Sequence, residues 1–399
     1  MPAARPADEE GSNAERLKNL LGGESRTNGF GNHICVRCRY PEPKPEAISA
    51  RALQLIAPDS SESAGDIRQW LFLDTETTGL AGGTGTYAFL VGVGWWEDDG
   101  FIVEQYFMKD HGDERSLLLE VLDRLNQRSV LVTFNGKSFD WPLLQTRFQM
   151  ARIRPVPQLL AHLDLLHPAR QIWRLSLKSV ALAQLEHHVL QIRRGHDIPS
   201  ETIPQRYFDF LRGGSAEAMA EVFRHNQLDI CGLASLSLRI STILADPESG
   251  VCGAGELFGI SRMMQRRGDC TSAERIYQKA LAVGLPEAAE QVARRELAFL
   301  AKRERNFELS NAHWEKLIGG SIEGLKAYEQ LAIYYEHHVA QPQKAAALSR
   351  EALIRLQESF HSGRVPLQKY QQWHASFQHR LSRLTAKITK QPNGSPPMP

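Results

Sequence analysis

Cysteine is scarce in this 399-residue sequence: five in all, an odd number in a long chain, which argues against a disulfide framework and fits a reducing compartment. An excess of one charge is missing too. Lys and Arg number 47 against 46 Asp and Glu, a formal charge of +1, which excludes a basic, histone-like protein and requires any cationic surface to be local. Long apolar runs are absent; the longest, Tyr87 to Trp96, is about half of what a spanning helix needs. The first 26 residues are polar, with Asp8, Glu9, Glu10 and Glu15 where an export signal would be apolar. These absences predict a soluble, cytoplasmic protein with no membrane partner. What remains is ordinary globular composition, 42% hydrophobic and 23% charged, at a length suited to two or three domains.

Residues 1–66 read as a partly disordered extension, polar at first and ending near the cluster Pro41, Pro43 and Pro45. Cys35 and Cys38 form a CxxC within it, half of a zinc site with no second half at comparable spacing; the simpler reading is a strand that happens to carry two cysteines. Residues 67–246 read as α/β. Strands are expected at Trp70 to Thr75, Tyr87 to Trp96 and Phe101 to Met108, the last two flanking the turn signal Glu97, Asp98, Asp99, Gly100. Helical periodicity follows at Glu114 to Leu125 and Phe139 to Met150, with short strands at Val130 to Phe134 and Leu159 to Leu165 and a long helix near Ala216 to Leu244. Hairpin strands followed by strand and helix alternation predict a mixed sheet flanked by helices.

Beyond Gly255 the pattern is helical only, and it repeats. Asp269, Ala273, Tyr277 and Ala280 correspond to Asn306, Ser310, Trp314 and Leu317, and again to Gln341, Ala345, Ser349 and Ala352. Small residues at helix approaches with large ones between them resemble tetratricopeptide repeats, expected over 252–357, against the alternative of an irregular helical bundle. A C-terminal helix and a disordered tail are expected over 358–399, the tail starting near Gln391.

The chemical signal lies in "LFLDTETTG". Asp74 and Glu76 are two apart at the end of an apolar strand, so both carboxylates leave the same face, and like charges so placed are costly without a cation between them. Asp140 follows "VTFNGKSF" in the first turn of a helix, and Asp229 sits in "HNQLDI" on the long helix, one turn after His225. Oxygen ligands from a strand end and two helices suit a pair of hard divalent cations, Mg²⁺ or Mn²⁺, in phosphodiester hydrolysis. Taken singly, each has a plainer reading: a chance DxE, a helix N-terminal acid, a solvated carboxylate.

The order strand-DxE-TxxG, strand-NGxxFD, helix-HxxxD resembles the DEDD superfamily of 3′ to 5′ exonucleases on the ribonuclease H-like fold. That resemblance implies Asp74, Glu76, Asp140 and Asp229 as metal ligands. The stretches "FLDTETTGLAGGTGTYAFLVGVG", "LVTFNGKSFDWPLL", "HLDLLHPARQIWR" and "HNQLDICGLASL" are similar to the YprB-like family of ribonuclease H-like proteins, the mitomycin repair factor B type. Its members carry a repeat-containing helical C-terminus. The resemblance implies nucleic-acid processing, DNA favoured over RNA, a role in DNA repair, and a helicase as a partner of the repeats. One departure is that His225 lies four residues before the last Asp, where the superfamily usually has a His five before it or a Tyr four before it. A His one turn from Asp229 suits a general base, while pairing structurally with Asp229 is the alternative.

Thr75, Thr77, Thr78 and Gly79 adjoin the first carboxylates and are candidates for touching the terminal nucleotide, with turn chemistry as the alternative. Asn135 and Lys137 precede Asp140 at a helix start, a place that favours phosphate. Residues 151–213 hold nine Lys or Arg against five acids, Arg193 and Arg194 among them, a local excess that suits a phosphate backbone or a solvated face. Asp164, in "HLDLL", is a fifth carboxylate near a strand end. A catalytically inactive nucleic-acid-binding domain and an adaptor built around the repeats are the competing readings; neither needs clustered, repelling acids, which favours the enzyme.

Overall fold

The structure is a computed structural model describing residues 7–43, 48–79, 85–97, 100–156, 158–318 and 322–390. The chain divides into two compact units, Met1–Cys252 and Gly253–Pro399.

The first unit is built on a seven-stranded mixed sheet: β1 (Glu24–Asn28), β2 (Gly31–Tyr40), β3 (Trp70–Thr77), β4 (Ala88–Glu97), β5 (Gly100–Phe107), β6 (Val130–Thr133) and β7 (Ala161–Asp164). Their order is β1-β2-β5-β4-β3-β6-β7. β1 through β3 pair antiparallel along this order, whereas β6 lies parallel to β3 and β7 parallel to β6. The helices are α1 (Ala7–Leu21), α2 (Ala50–Ile56), α3 (Glu114–Gln127), α4 (Asp140–Met150), α5 (Leu166–Trp173), α6 (Leu182–Leu185), α7 (Ile203–Leu211) and α8 (Ala216–Ala245).

This architecture corrects the expected extension. β2 pairs along its length with β5, Ile34 opposite Phe107 through Tyr40 opposite Phe101, and Leu17 of α1 and Ala52, Leu53 and Leu55 of α2 are buried. The short apolar run Ile34, Cys35, Val36 completes the core, a long-range pairing that local polarity concealed. The CxxC follows the strand reading: residues three apart in a strand leave opposite faces, and burial pushes the Cys35 thiol up to about 12. Of the expected hairpin turn, Glu97 pairs with Gly100, and Asp98 and Asp99 lie outside the described residues.

α8 is long and apolar enough by composition to cross a membrane, yet it is a core helix whose Ile230, Leu233 and Leu236 are buried. Two glycines of β4 let it approach the sheet: a Cβ at Gly94 would stand 2.6 Å from Ile230, and one at Gly92 would stand 2.1 Å from Asn226 Oδ1. Ser215 caps its start by accepting from the Ala218 amide at 3.2 Å.

His33 of β2 is fully buried; its Nδ1 meets Ser116 Oγ at 2.8 Å, and burial, aided by Arg26 and Lys109, lowers its pKa to about 4. The fold therefore favours the neutral ring. As pH falls from 6.5 toward 4 the unfolded chain takes up the proton first, and stability is lost across that window. Between pH 7 and 5 this one residue is expected to remove about 2 kcal/mol. Urea unfolding of wild type and His33→Gln at both pH values checks it: the stability difference between the two proteins should shrink by about that amount at the lower pH.

The second unit is all helical: α9 (Ala254–Arg266), α10 (Cys270–Val283), α11 (Glu287–Arg303), α12 (Phe307–Glu315), α13 (Ile322–His337), α14 (Pro342–His361) and α15 (Leu367–Thr389). The repeating frame coincides with helix starts. Asp269, Asn306 and Gln341 are the N-cap residues of α10, α12 and α14, and the small residues four positions on, Ala273, Ser310 and Ala345, are buried. The expected division at 357 is corrected, because Phe377 and Leu384 of α15 pack on Ala352, Leu356 and Ala345 of α14 within the same unit. The tail expected from Gln391 lies outside the described residues.

Candidate active site

The carboxyl ends of β3, β6 and β7 lie side by side, and the acids collect there. β3 is apolar and buried from Trp70 to Leu73, then delivers Asp74 and Glu76 to one face. Beyond β6, a tight turn with Asn135 at φ 70° leads into α4, which starts at Asp140. Gly136 is required in that turn, since a Cβ there would stand 2.5 Å from the Thr133 side chain. Asp164, at the end of β7 and 4% exposed, accepts from the amides of Asn135 at 2.8 Å, Lys137 at 3.1 Å and Leu166 at 3.1 Å. It holds the turn that presents Asp140.

Burial, reinforced by the charges of Asp229, Glu76 and Asp140, pushes Asp74 well above the usual carboxylate range. Glu76 is raised by burial and by Asp229, Asp140 and Asp197, and Asp140 by burial against the opposing bond from Thr75 Oγ1 at 2.6 Å. From α8, His225 and Asp229 complete the cluster, and one ligand atom each from Glu76, His225 and Asp229 all lie within 4.8 Å of one another. Hard oxygens that repel one another, with an imidazole beside them, are a donor set fitted to a divalent cation of the Mg²⁺ or Mn²⁺ class.

Thr75 thus faces Asp140. Thr77 Oγ1 donates to the Gly79 carbonyl at 2.9 Å, and Thr78 Oγ1 accepts from the Tyr87 amide at 3.0 Å, so both are engaged in the chain reversal after β3. Lys137 is exposed.

Four side chains escaped the sequence reading. Asp197 Oδ1 meets His225 Nδ1 at 2.7 Å; burial opposes the shift, but the bonds from His225 and Arg194 hold Asp197 below its ordinary value. Arg194, read above as part of a cationic excess, points inward: it pairs with Asp229 and Glu186 and donates to Asp197 at 2.9 Å. Glu186 is 1% exposed and rests on α8 where a Cβ at Gly232 would stand 1.7 Å from its carboxylate oxygen. Asn226 Nδ2 donates to Asp74 Oδ2 at 2.8 Å. "HNQLDI" displays Asn226, but its partner lies 152 positions away.

A mixed sheet with acids at the end of a strand that pairs antiparallel on one side and parallel on the other, crossed by a long helix that adds a further acid, defines the ribonuclease H-like class. The RNase_H superfamily model matches residues 71–240, which span β3 to most of α8. Over 286 residues the chain is 31% identical to the uncharacterized protein YprB of Bacillus subtilis (strain 168), covering 71% of this chain and 68% of that protein. The chain belongs to the YprB family of the ribonuclease H superfamily. Membership supports a nuclease or nucleic-acid-binding role, and nucleases of this fold usually work with divalent metals.

Proposed function

We propose that this protein is a metal-dependent 3′ to 5′ exonuclease acting on nucleic acid, DNA favoured, in repair or processing. The observation that carries the reading is the convergence of Asp74, Glu76, Asp140 and Asp229 with His225: three of the four acids have raised pKa values, a costly arrangement with no purpose in a scaffold. Asp74, Glu76, Asp140 and Asp229 would hold two Mg²⁺ or Mn²⁺ ions, which supply a more acidic water and stabilise charge on the leaving oxygen. Thr75 fixes the Asp140 carboxylate. The Asn135 and Lys137 amides already serve Asp164, so the exposed Lys137 side chain is the phosphate contact this turn has left to give, and Thr77, Thr78 and Gly79 lie in the chain reversal just after the first acids. Polarity and DNA preference follow from the family resemblance, as does a partner such as a helicase on tetratricopeptide-like repeats of the second unit.

His225 is read as the general base. The Asp197 carboxylate accepts from Nδ1, which leaves Nε2, 3.4 Å from Asp229 Oδ2, as the nitrogen able to take a proton. The closeness of Glu76, His225 and Asp229 favours a second reading, in which Nε2 is itself a ligand. The test is digestion of end-labelled single-stranded, blunt and overhanging DNA and RNA with and without Mg²⁺ or Mn²⁺. Metal-dependent shortening from the 3′ end is expected, and its absence on every substrate refutes the reading. In the same assay, loss of the base in His225→Ala should lower turnover about 10²-fold or more, with partial recovery at alkaline pH. A raised metal requirement without alkaline recovery assigns His225 as a ligand instead.

A further inference from the structure

The near-neutral balance of the chain conceals a segregation of charge. Residues 362–390 carry six cations, Arg364, Lys369, Arg380, Arg383, Lys387 and Lys390, and no Asp or Glu, leaving 41 cations against 46 acids elsewhere. Most of this segment is α15. Tyr370, Trp373, Phe377, Leu381, Leu384 and Ile388 form its apolar ridge and pack on α13 and α14, which fixes the rotation of the helix. At 3.6 residues per turn, Lys369, Arg383, Lys387 and Lys390 then fall within an arc of about 60°, with Gln372 and Ser376 in the same arc. All six of these residues are exposed. The stripe runs beside the buried ridge for about 30 Å.

Outer helices elsewhere in this unit balance their cations with acids one turn away: Arg294 with Glu290, Lys326 with Glu329, Arg355 with Glu351. α15 does the opposite. Arg383 and Lys387 are four apart, Lys387 and Lys390 three apart, like charges that cost helix stability unless an anion lies over them. One acid answers the stripe: Glu336 of α13, 4% exposed, accepts from Arg383 at 2.6 Å and lies 3.6 Å from Arg380. Among the described residues no acid pairs with Lys369, Lys387 or Lys390.

We infer that this face of α15 binds the phosphodiester backbone of nucleic acid, outside the carboxylate cluster. Charge complementarity selects the occupant: cations that no acid opposes, here Lys369, Lys387 and Lys390, interleaved with uncharged donors are the means by which proteins grip phosphates without reading sequence. An anionic membrane is disfavoured because an interfacial helix inserts a free apolar face, and the ridge of α15 is already buried. The stripe is long enough for about nine base pairs of duplex. The inference rests on the nucleic-acid reading of the first unit and assigns the second a direct share in holding substrate.

The test uses the full chain and a long fluorescein-labelled oligonucleotide, single-stranded and duplex, in EDTA to prevent digestion, with anisotropy followed from low to physiological salt. For Lys369→Glu/Lys387→Glu/Lys390→Glu the plot of log affinity against log salt is expected to be shallower by about two to three, and low-salt affinity to fall about tenfold or more. Lys369→Gln/Lys387→Gln/Lys390→Gln should also flatten the slope while melting like wild type, which separates charge from folding and serves alone if the first variant does not fold. An unchanged slope in a folded variant overturns the inference. So does loss of binding to poly-glutamate or phosphatidylglycerol vesicles with nucleic-acid binding intact. Digestion of a short oligonucleotide by wild type in Mn²⁺ reports the nuclease reading separately: its absence sinks that reading and leaves the salt dependence to be judged for itself.

Discussion

Asp74→Asn and Glu76→Gln are expected to abolish nuclease activity and, in metal-free buffer, to raise the melting temperature. Both effects come from one cause. Burial and neighbouring carboxylates disfavour the charged form of each residue, so a neutral isostere relieves a cost the wild type bears without a cation. Losing a ligand at such a site removes several kcal/mol of barrier lowering, a rate loss of about 10³-fold or more, whereas relief of repulsion should add a few degrees of stability. Asp140→Asn should be equally inactive. Asp229→Asn should be inactive too, but not stabilised, because Asp229 pairs with Arg194, and weakening that pair leaves a buried guanidinium with less compensation. Differential scanning fluorimetry with and without Mn²⁺, beside the digestion assay, separates these outcomes. Wild-type turnover in any of the four variants removes that residue from the ligand set, and a fall in metal-free melting temperature for Glu76→Gln would show that the acid serves the fold.

What the sequence could disclose follows from the range of each interaction. β3, α4 and α8 were legible because an apolar run ending in acids, a helix start after a short apolar strand and an amphipathic stretch of 30 residues are local patterns, and Asp74, Glu76, Asp140, His225 and Asp229 each lie inside one. β1 has no local signal, and β2 shows only a strand around its two cysteines, not its place in the sheet: its partner β5 comes from more than 60 positions away, and Asn32, His33, Arg37 and Arg39 among its ten residues disguise a strand that is buried only once paired. Arg194 failed for a related reason. An arginine in a basic stretch reads as solvated, and only the meeting of Glu186, Asp197 and Asp229 turns it inward. The cationic stripe of α15 was hidden by the near-zero total, since residues spaced three, four and seven apart form a stripe only on a helix of known rotation.

Asn226 gives the second large effect. Its Nδ2 donates to Asp74 Oδ2 at 2.8 Å, its Oδ1 accepts from Gln105 Nε2 at 2.8 Å, and Gln105 Oε1 accepts from Gln227 Nε2 at 2.8 Å. Gln105 Nε2 also donates to the Phe223 carbonyl at 2.8 Å. Asn226 and Gln105 are fully buried, so each amide fixes the orientation of the next and only the NH₂ of Asn226 can face Asp74. This holds the aspartate by one oxygen and leaves the other toward the acid cluster. Asn226→Ala should therefore lower activity by about 10- to 100-fold and shift the Mn²⁺ midpoint upward, with excess Mn²⁺ restoring much of the rate. Asn226→Asp should be worse, because it sets a second carboxylate against Asp74 and leaves the Gln105 relay to hold it. Gly92→Ala reaches the same chain from the sheet, its Cβ falling 2.1 Å from Asn226 Oδ1, and should reproduce the metal shift. Metal titrations followed by calorimetry on the folded variants decide the matter: an unchanged midpoint with a lowered melting temperature would make the relay a matter of packing, whereas a shifted midpoint at wild-type stability would make Asn226 the residue that aims Asp74.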